Sequence, residues 1–210
     1  APSLVVHGLK MLEYRGYDSS GVAVINEGKM EIRKNTGKLE EVEKKEKFSE
    51  LIGNISMGHN RWATHGNVTK HNSHPHLDCT ASIAVVHNGI IENYEELKQT
   101  LTASGHIFKS QTDTEVIPHL IEEKVKAGKP FETAVKDTCN ELEGRFAIVV
   151  VKKGEAKMIG ARRGSPLVMG IGTNTYFLAS DVPAFLSSTR SVVFLEDNEM
   201  VVIASANEPK

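Results

Sequence analysis

The sequence predicts an α+β domain in which antiparallel sheets carry helices, and three observations point there. Its 210 residues, 40% hydrophobic and 25% charged, fit one domain with a substantial core. Helical periodicity dominates between residues 93 and 142, whereas strand runs crowd the chain from Arg145 onward. Such segregation argues against a parallel doubly wound sheet. The run at residues 81–87 is nearly continuous in apolar character, which suits a strand covered on both faces. Four layers accommodate this count of elements.

Taken in order, Pro2 suits a first helical turn, and Leu4, Val5, Leu9 and Leu12 recur at helical spacing as far as Tyr14, with Gly16 as the stop. Residues 21–25 and 30–32 read as a hairpin around Asn26-Glu27-Gly28. Residues 38–50 mix Lys and Glu around Leu39, Val42 and Phe48, the pattern of a solvated amphipathic helix. Residues 55–61 and 81–87 are strands, separated by a polar, histidine-rich loop. Asn93 with Glu96, and Thr112 with Glu115, are spaced as capping boxes for two helices, and a third covers residues 131–142. Strands then follow at 146–151, 158–161, 167–171, 176–179, 192–195 and 200–203.

The balance of 25 Lys+Arg against 27 Asp+Glu gives a formal net charge of -2 and no basic stretch, which argues against nucleic acid as a partner. The longest apolar run, residues 146–151, is far too short to cross a bilayer. Two cysteines, Cys79 and Cys139, cannot make a disulfide framework and suit a reducing compartment. With no secretory signal at the start, a cytoplasmic location is expected.

Six of the nine histidines lie between His59 and His87, and three readings compete for this region. His71, His74 and His76 could present imidazoles to a metal, although their spacing is not diagnostic. Cys79 could serve as a nucleophile beside a histidine, but a free cysteine next to a strand is usually an inert small hydrophobe, and the same holds for Cys139. The third reading joins dispersed residues: Arg61 as a planar fork for a carboxylate, Asp113 as counter-charge for an ammonium, and Asn88 with the amide of Gly89 as two donors for an oxyanion. Together they would hold a zwitterionic amino acid at an acyl-transfer site. Each has a plainer alternative: Arg61 a surface charge, Trp62 a core aromatic, Asp113 a first-turn acid, Asn88-Gly89 a turn.

Five ordered strings cover most of the chain: Leu12-Glu13-Tyr14-Arg15-Gly16-Tyr17-Asp18-Ser19, Arg61-Trp62-Ala63-Thr64-His65-Gly66, His87-Asn88-Gly89-Ile90-Ile91-Glu92-Asn93, Thr112-Asp113-Thr114-Glu115 and Gly164-Ser165-Pro166-Leu167-Val168. Together they resemble the glutaminase domain of the glucosamine-6-phosphate synthase family, within the class II glutamine amidotransferases. The resemblance implies a four-layer αββα N-terminal-nucleophile hydrolase fold, with two stacked antiparallel sheets between helical layers, over residues 1–210 as one glutaminase domain. It implies a mechanism in which an N-terminal cysteine attacks the side-chain amide of glutamine, forms a glutamyl thioester and releases ammonia. No cofactor is implied. Arg61 would bind the substrate carboxylate, Asp113 its ammonium, and Asn88 and Gly89 the oxyanion. Trp62, Thr64 and His65 match the family's glutamine loop, with His74 beside it; Val68 stands where relatives often carry proline. The implied partners are glutamine and the sugar-phosphate isomerase domains of the parent enzyme, through which it would form a homo-oligomer and make glucosamine 6-phosphate from fructose 6-phosphate.

One departure stands out. Family members open on Cys-Gly-Ile-Phe-Gly in a first strand, whereas this sequence opens on Ala1-Pro2-Ser3 at the following helix. As given, it is expected to be inactive, and a catalytically silent glutamine-binding domain is the alternative.

Overall fold

A computed structural model describes residues 1–63 and 66–204. The chain opens on helix α1 (Pro2–Met11), followed by a single 3₁₀ turn at Glu13–Arg15, so the first helix ends earlier than its periodicity suggests. Strands β1 (Ser19–Asn26) and β2 (Lys29–Thr36) form the expected hairpin. Helix α2 (Leu39–Glu46) stops at Lys47, which takes a left-handed conformation at φ 52°. Strand β3 (Ile55–Arg61) then pairs with β1, giving the sheet order β2-β1-β3.

The inner sheet has the order β11-β7-β6-β5-β4, all antiparallel. It comprises β4 (His76–Leu77), a short strand without a sequence signal, β5 (Ile83–Ile91), β6 (Gly144–Lys152), β7 (Lys157–Arg163) and β11 (Met200–Ala204). A third sheet, of β8 (Val168–Gly172), β9 (Thr175–Ala179) and β10 (Val192–Phe194), has the order β10-β8-β9. Helices α3 (Tyr94–Ala103), α4 (Val116–Lys126) and α5 (Phe131–Glu141) fill the chain between β5 and β6.

The layers follow from strand alternation. In β5, Ile83 and Val85 join the core beneath the helices, with Ile117, Ile121 and Val135, while Ala84 and Val86 face the other way among Ala23, Met57 and Met169. The same split holds in β6, between Ile148 and Val150 on one side and Ala147, Val149 and Val151 on the other. On the outer face of β1, Val22 and Val24 pack with Leu9, Val42 and Phe48. Helices α1 and α2 therefore cover the outer β1–β3 sheet, and α3–α5 cover the inner one: four layers, with the apolar run at residues 81–87 buried on both sides as its composition predicts.

Both capping boxes fail. Asn93 stands at the start of α3, but its Nδ2 donates to Glu141 O and its Oδ1 accepts from Glu143 N, tying the helix start to the end of α5. Thr112 precedes a 3₁₀ turn at Asp113–Glu115, and the Glu115 carboxylate accepts from Lys109 N, Ser110 N and Ser110 Oγ instead of closing a box. The polar side chains that look like caps are tertiary anchors.

Candidate active site

The period-2 rule also aims the polar ends of two strands at each other. In β3, Ile55 and Met57 face the inner sheet, so His59 and Arg61 share that face, while Gly58 and Asn60 meet α1. In β5 the even positions face β3, which brings Asn88 onto the inter-sheet side. There Asn88 Oδ1 lies 2.8 Å from His59 Nε2 and takes its proton. That bond fixes the amide with Nδ2 as the remaining donor.

Asn88-Gly89 is no turn: β5 continues through both to Ile91, paired with β6 at Asn88–Ala147 and Gly89–Phe146. Glycine is required at 89. Its φ is +132°, and a Cβ there would lie 1.9 Å from Arg145 O. At the end of the strand, Ile91 N donates to Asp113 Oδ2 at 2.8 Å, which pins the 3₁₀ turn to β5 and leaves Oδ1 as an acceptor.

Arg61 and Asp113, each 4% exposed, line one cleft of about 1070 Å³ with Trp62, His74, Asn88 and Gly89. Burial lowers the Arg61 pKa from its usual value, while the nearby carboxylates of Asp18 and Asp113 raise it. The Arg61 guanidinium donates to Gly66 O and Asn67 O, both at 3.3 Å, and so holds the start of the loop that follows. Trp62 is exposed and leans over Tyr17 at 5.6 Å between ring centroids, which corrects its reading as a core aromatic. Thr64 and His65 lie outside the described residues.

Beneath the cleft the histidines form a scaffold. His59 stacks on His74 at 4.1 Å, His74 meets His76 edge-on at 4.7 Å, and His74 Nδ1 accepts from His87 N. His87 Nδ1 and Thr114 Oγ1 are 2.9 Å apart, and His76 Nε2 and Thr112 Oγ1 3.1 Å, so both rings hold the segment that carries Asp113. Burial pushes the His59 pKa down to about 4 and lowers those of His74, His76 and His87. These imidazoles are neutral at pH 7. Exposed His71 stands apart, and among the described residues His71, His74 and His76 do not gather as metal ligands.

Neither cysteine lines the cleft. Cys139 is inert by burial, which pushes its thiol up to about 12. Two contributors were not among the expected site residues, although Asp18 lies in the first of the five strings. Asp18 accepts from Ala63 N beside Arg61. Buried Asn72 donates to Asn67 O and Gln111 Oε1 and accepts from Gln111 N, clamping the loop to the approach to Asp113.

With this geometry in place, comparison with known proteins defines the class. A glutamine amidotransferase domain family matches residues 59–187, and the chain belongs to that family. It is 50% identical over 203 residues to the glutamine–fructose-6-phosphate aminotransferase [isomerizing] of Sulfolobus acidocaldarius, covering 97% of this chain and 34% of that protein. To the Pyrococcus horikoshii enzyme of the same name it is 52% identical over 205 residues, with the same coverage. The chain thus spans about a third of the length of the curated relatives it matches. Among solved structures, the glutamine phosphoribosylpyrophosphate amidotransferase from B. subtilis aligns with a TM-score of 0.87 and 29% identity over 100% of this chain and 46% of that one. A predicted glutamine amidotransferase from Pseudomonas aeruginosa shares the fold at a TM-score of 0.62 and 15% identity, over 90% and 86%. The fold is the four-layer αββα N-terminal-nucleophile hydrolase fold. No helix among the described residues is long and apolar enough to cross a membrane.

Proposed function

We propose that the cleft binds glutamine and that the domain hydrolyses its side-chain amide to glutamate and ammonia, using a nucleophile carried on a strand that precedes α1. The observation that carries this reading is the convergence of Arg61, Asp113, Asn88 and Gly89 on one hollow. Arg61 pairs with the α-carboxylate and Asp113 with the α-ammonium, so opposite charges at both ends align the zwitterion. Asn88 Nδ2 and the Gly89 amide stabilise the oxyanion, Trp62, Thr64 and His65 belong to the substrate-binding set, and His74 backs the pocket.

The shape of the cleft supports the position of the nucleophile. β3 and β9 end their sheets, and residues 54–62 and 174–180 line the same cleft together with Val86, Ala147 and Val149. Two open strand edges flanking one slot suit an inserted extended segment. Helix α1 runs beside β3 in the same direction: Val5 and Leu9 sit against Gly58, and Leu9 O accepts from Asn60. A strand leading into Ala1 along this slot therefore runs antiparallel to β3, with its first residue at the Arg61 end. A cysteine there attacks the amide carbon, ammonia leaves with a proton relayed by the cysteine's own amino group, and water cleaves the thioester and restores the thiol.

In the parent enzyme we infer that this ammonia passes to sugar-phosphate isomerase domains, which aminate fructose 6-phosphate and mediate homo-oligomerisation, in a cytoplasmic setting. The support is the identity to aminotransferases of that name together with the third of their length that this chain spans.

The test uses the chain extended by the family's Cys-Gly-Ile-Phe-Gly opening. It should hydrolyse glutamine and be inactivated stoichiometrically by a glutamine-analogue electrophile at the added cysteine. Labelling confined to Cys79 would overturn the mechanism, and glutamine binding without turnover would favour the silent binding domain. By calorimetry Arg61→Ala should weaken glutamine at least tenfold; equal affinity would refute the carboxylate assignment.

A further inference from the structure

Away from the cleft, four potential ligand atoms converge on the far side of the inner sheet: Cys79 Sγ, His106 Nδ1, His119 Nδ1 and Glu122 Oε2, all within 4.8 Å of one another. They come from three segments: the turn after β4, the loop after α3, and one face of α4, where His119 and Glu122 are three residues apart. Both rings and the carboxylate are buried, whereas Cys79 lies at the rim.

The spacing has the dimensions of a coordination polyhedron. Cys79 Sγ is 3.4 Å from His106 Nδ1 and 3.5 Å from His119 Nδ1, and the two Nδ1 atoms are 3.0 Å apart. Glu122 Oε2 lies 3.2 Å from His106 Nδ1 and 3.5 Å from His119 Nδ1. A tetrahedron with zinc bonds of 2.0–2.1 Å to nitrogen and 2.3 Å to sulfur has N–N edges of about 3.3 Å and N–S edges of about 3.6 Å. The five separations fall within a few tenths of an ångström of those edges.

The outer faces of the rings point the same way. Glu123 Oε1 lies 2.9 Å from His106 Nε2, off the ideal N–H line, and Glu115 Oε1 lies 3.7 Å from His119 Nε2. A carboxylate behind each ring favours the proton on Nε2 and turns the Nδ1 lone pair inward, the arrangement that surrounds metal-bound histidines. Two imidazole lone pairs, a carboxylate oxygen and a sulfur then face one another in a buried space. With both ring protons on Nε2, the Cys79 thiol is the sole donor left for these contacts and can satisfy only one of them.

We propose that Cys79, His106, His119 and Glu122 bind a single zinc ion in a closed structural site. The donor set of one thiolate, two imidazoles and one carboxylate suits zinc, and with all four positions supplied by the chain no place remains for substrate. The ion staples the β4 turn and the loop after α3 to α4. Glu115, behind His119, also accepts from Lys109 N and Ser110 N, so the staple braces the segment that ends in Asp113. The site stands whether or not the cleft hydrolyses glutamine.

The test is elemental analysis of the full chain after exhaustive dialysis, with chelator-stripped protein then titrated with zinc and cobalt(II). One zinc per chain is expected, and cobalt should give the intense visible bands of tetrahedral coordination together with a thiolate-to-cobalt charge-transfer band. Cys79→Ser should abolish the charge-transfer band. Glu123→Gln, at a half-exposed position, should weaken zinc about 10–100-fold while the circular dichroism spectrum stays that of the parent. Metal-free protein that fails to bind zinc saturably against a chromophoric chelator, or a cobalt spectrum unchanged by Cys79→Ser, would overturn the proposal.

Discussion

The inner and outer sheets are built from similar residues and do opposite things. The inner sheet is continuous over five strands, and its Ile148 and Val150 are fully buried beneath α3–α5. The outer layer is two three-stranded sheets whose edges, β3 and β9, face one cleft. Asn88 belongs to the continuous sheet and Asp113 is bonded to its end, whereas Arg61 and Trp62 sit where the outer layer opens. The rigid layer fixes the polar donors, and the divided layer supplies the access.

The contrast breaks most directly by truncation on each side. Ile148→Ala should cost about 2–5 kcal/mol in denaturant unfolding, as expected for a fully buried aliphatic in a layer that cannot collapse around the gap. Ile55→Ala, at a half-buried position lining the slot, should cost less than half as much. Equal losses would mean that the outer layer is as tightly supported as the inner. At the cleft, Asn88→Ala in the cysteine-bearing chain should lower kcat by about 10²–10³, some 2.7–4 kcal/mol of transition-state stabilisation, with little change in KM. A change confined to KM would move Asn88 from the oxyanion to ground-state binding.

The last contrast is in pH dependence. His59, His74, His76 and His87 have pKa values lowered by burial, His59 to about 4, while in the unfolded chain they titrate near their usual 6.5. Between these values the unfolded state binds more protons, so stability rises with pH. Their contribution is complete above about pH 6.5 and is lost as pH falls toward about 4. Urea midpoints should drop from about pH 7 to about pH 5, and His59→Gln should flatten that slope. A midpoint insensitive to pH would mean that these rings are not buried neutral.

Much of the fold was legible because its signals are local. The 55–61 strand, the hairpin around Gly28, helices α4 and α5 and the strand series after Arg145 all follow from residue periodicity and turn chemistry. Where a side chain had both a local and a distant partner, the local reading failed: Asn93 and Thr112 look like caps but bond elsewhere, and Asn88-Gly89 looks like a turn but lies within β5. The short β4 carries no periodicity to read.

The site divides along the same line. The recurring strings around Arg61, Asn88 and Asp113 placed the candidate residues, with Thr64 and His65 among them outside the described region. Nothing local could show that His59 orients Asn88, that Asn72 clamps the loop to Gln111, or that Cys79 meets His106, His119 and Glu122.

What the sequence by itself determined was the α+β class, the order of the elements and the family, because these reside in short-range patterns. Tertiary structure alone decided which side chains meet. That depends on the register of β3 against β1 and of β5 against β6, and on the packing of the two sheets, where residues tens of positions apart come within hydrogen-bonding distance.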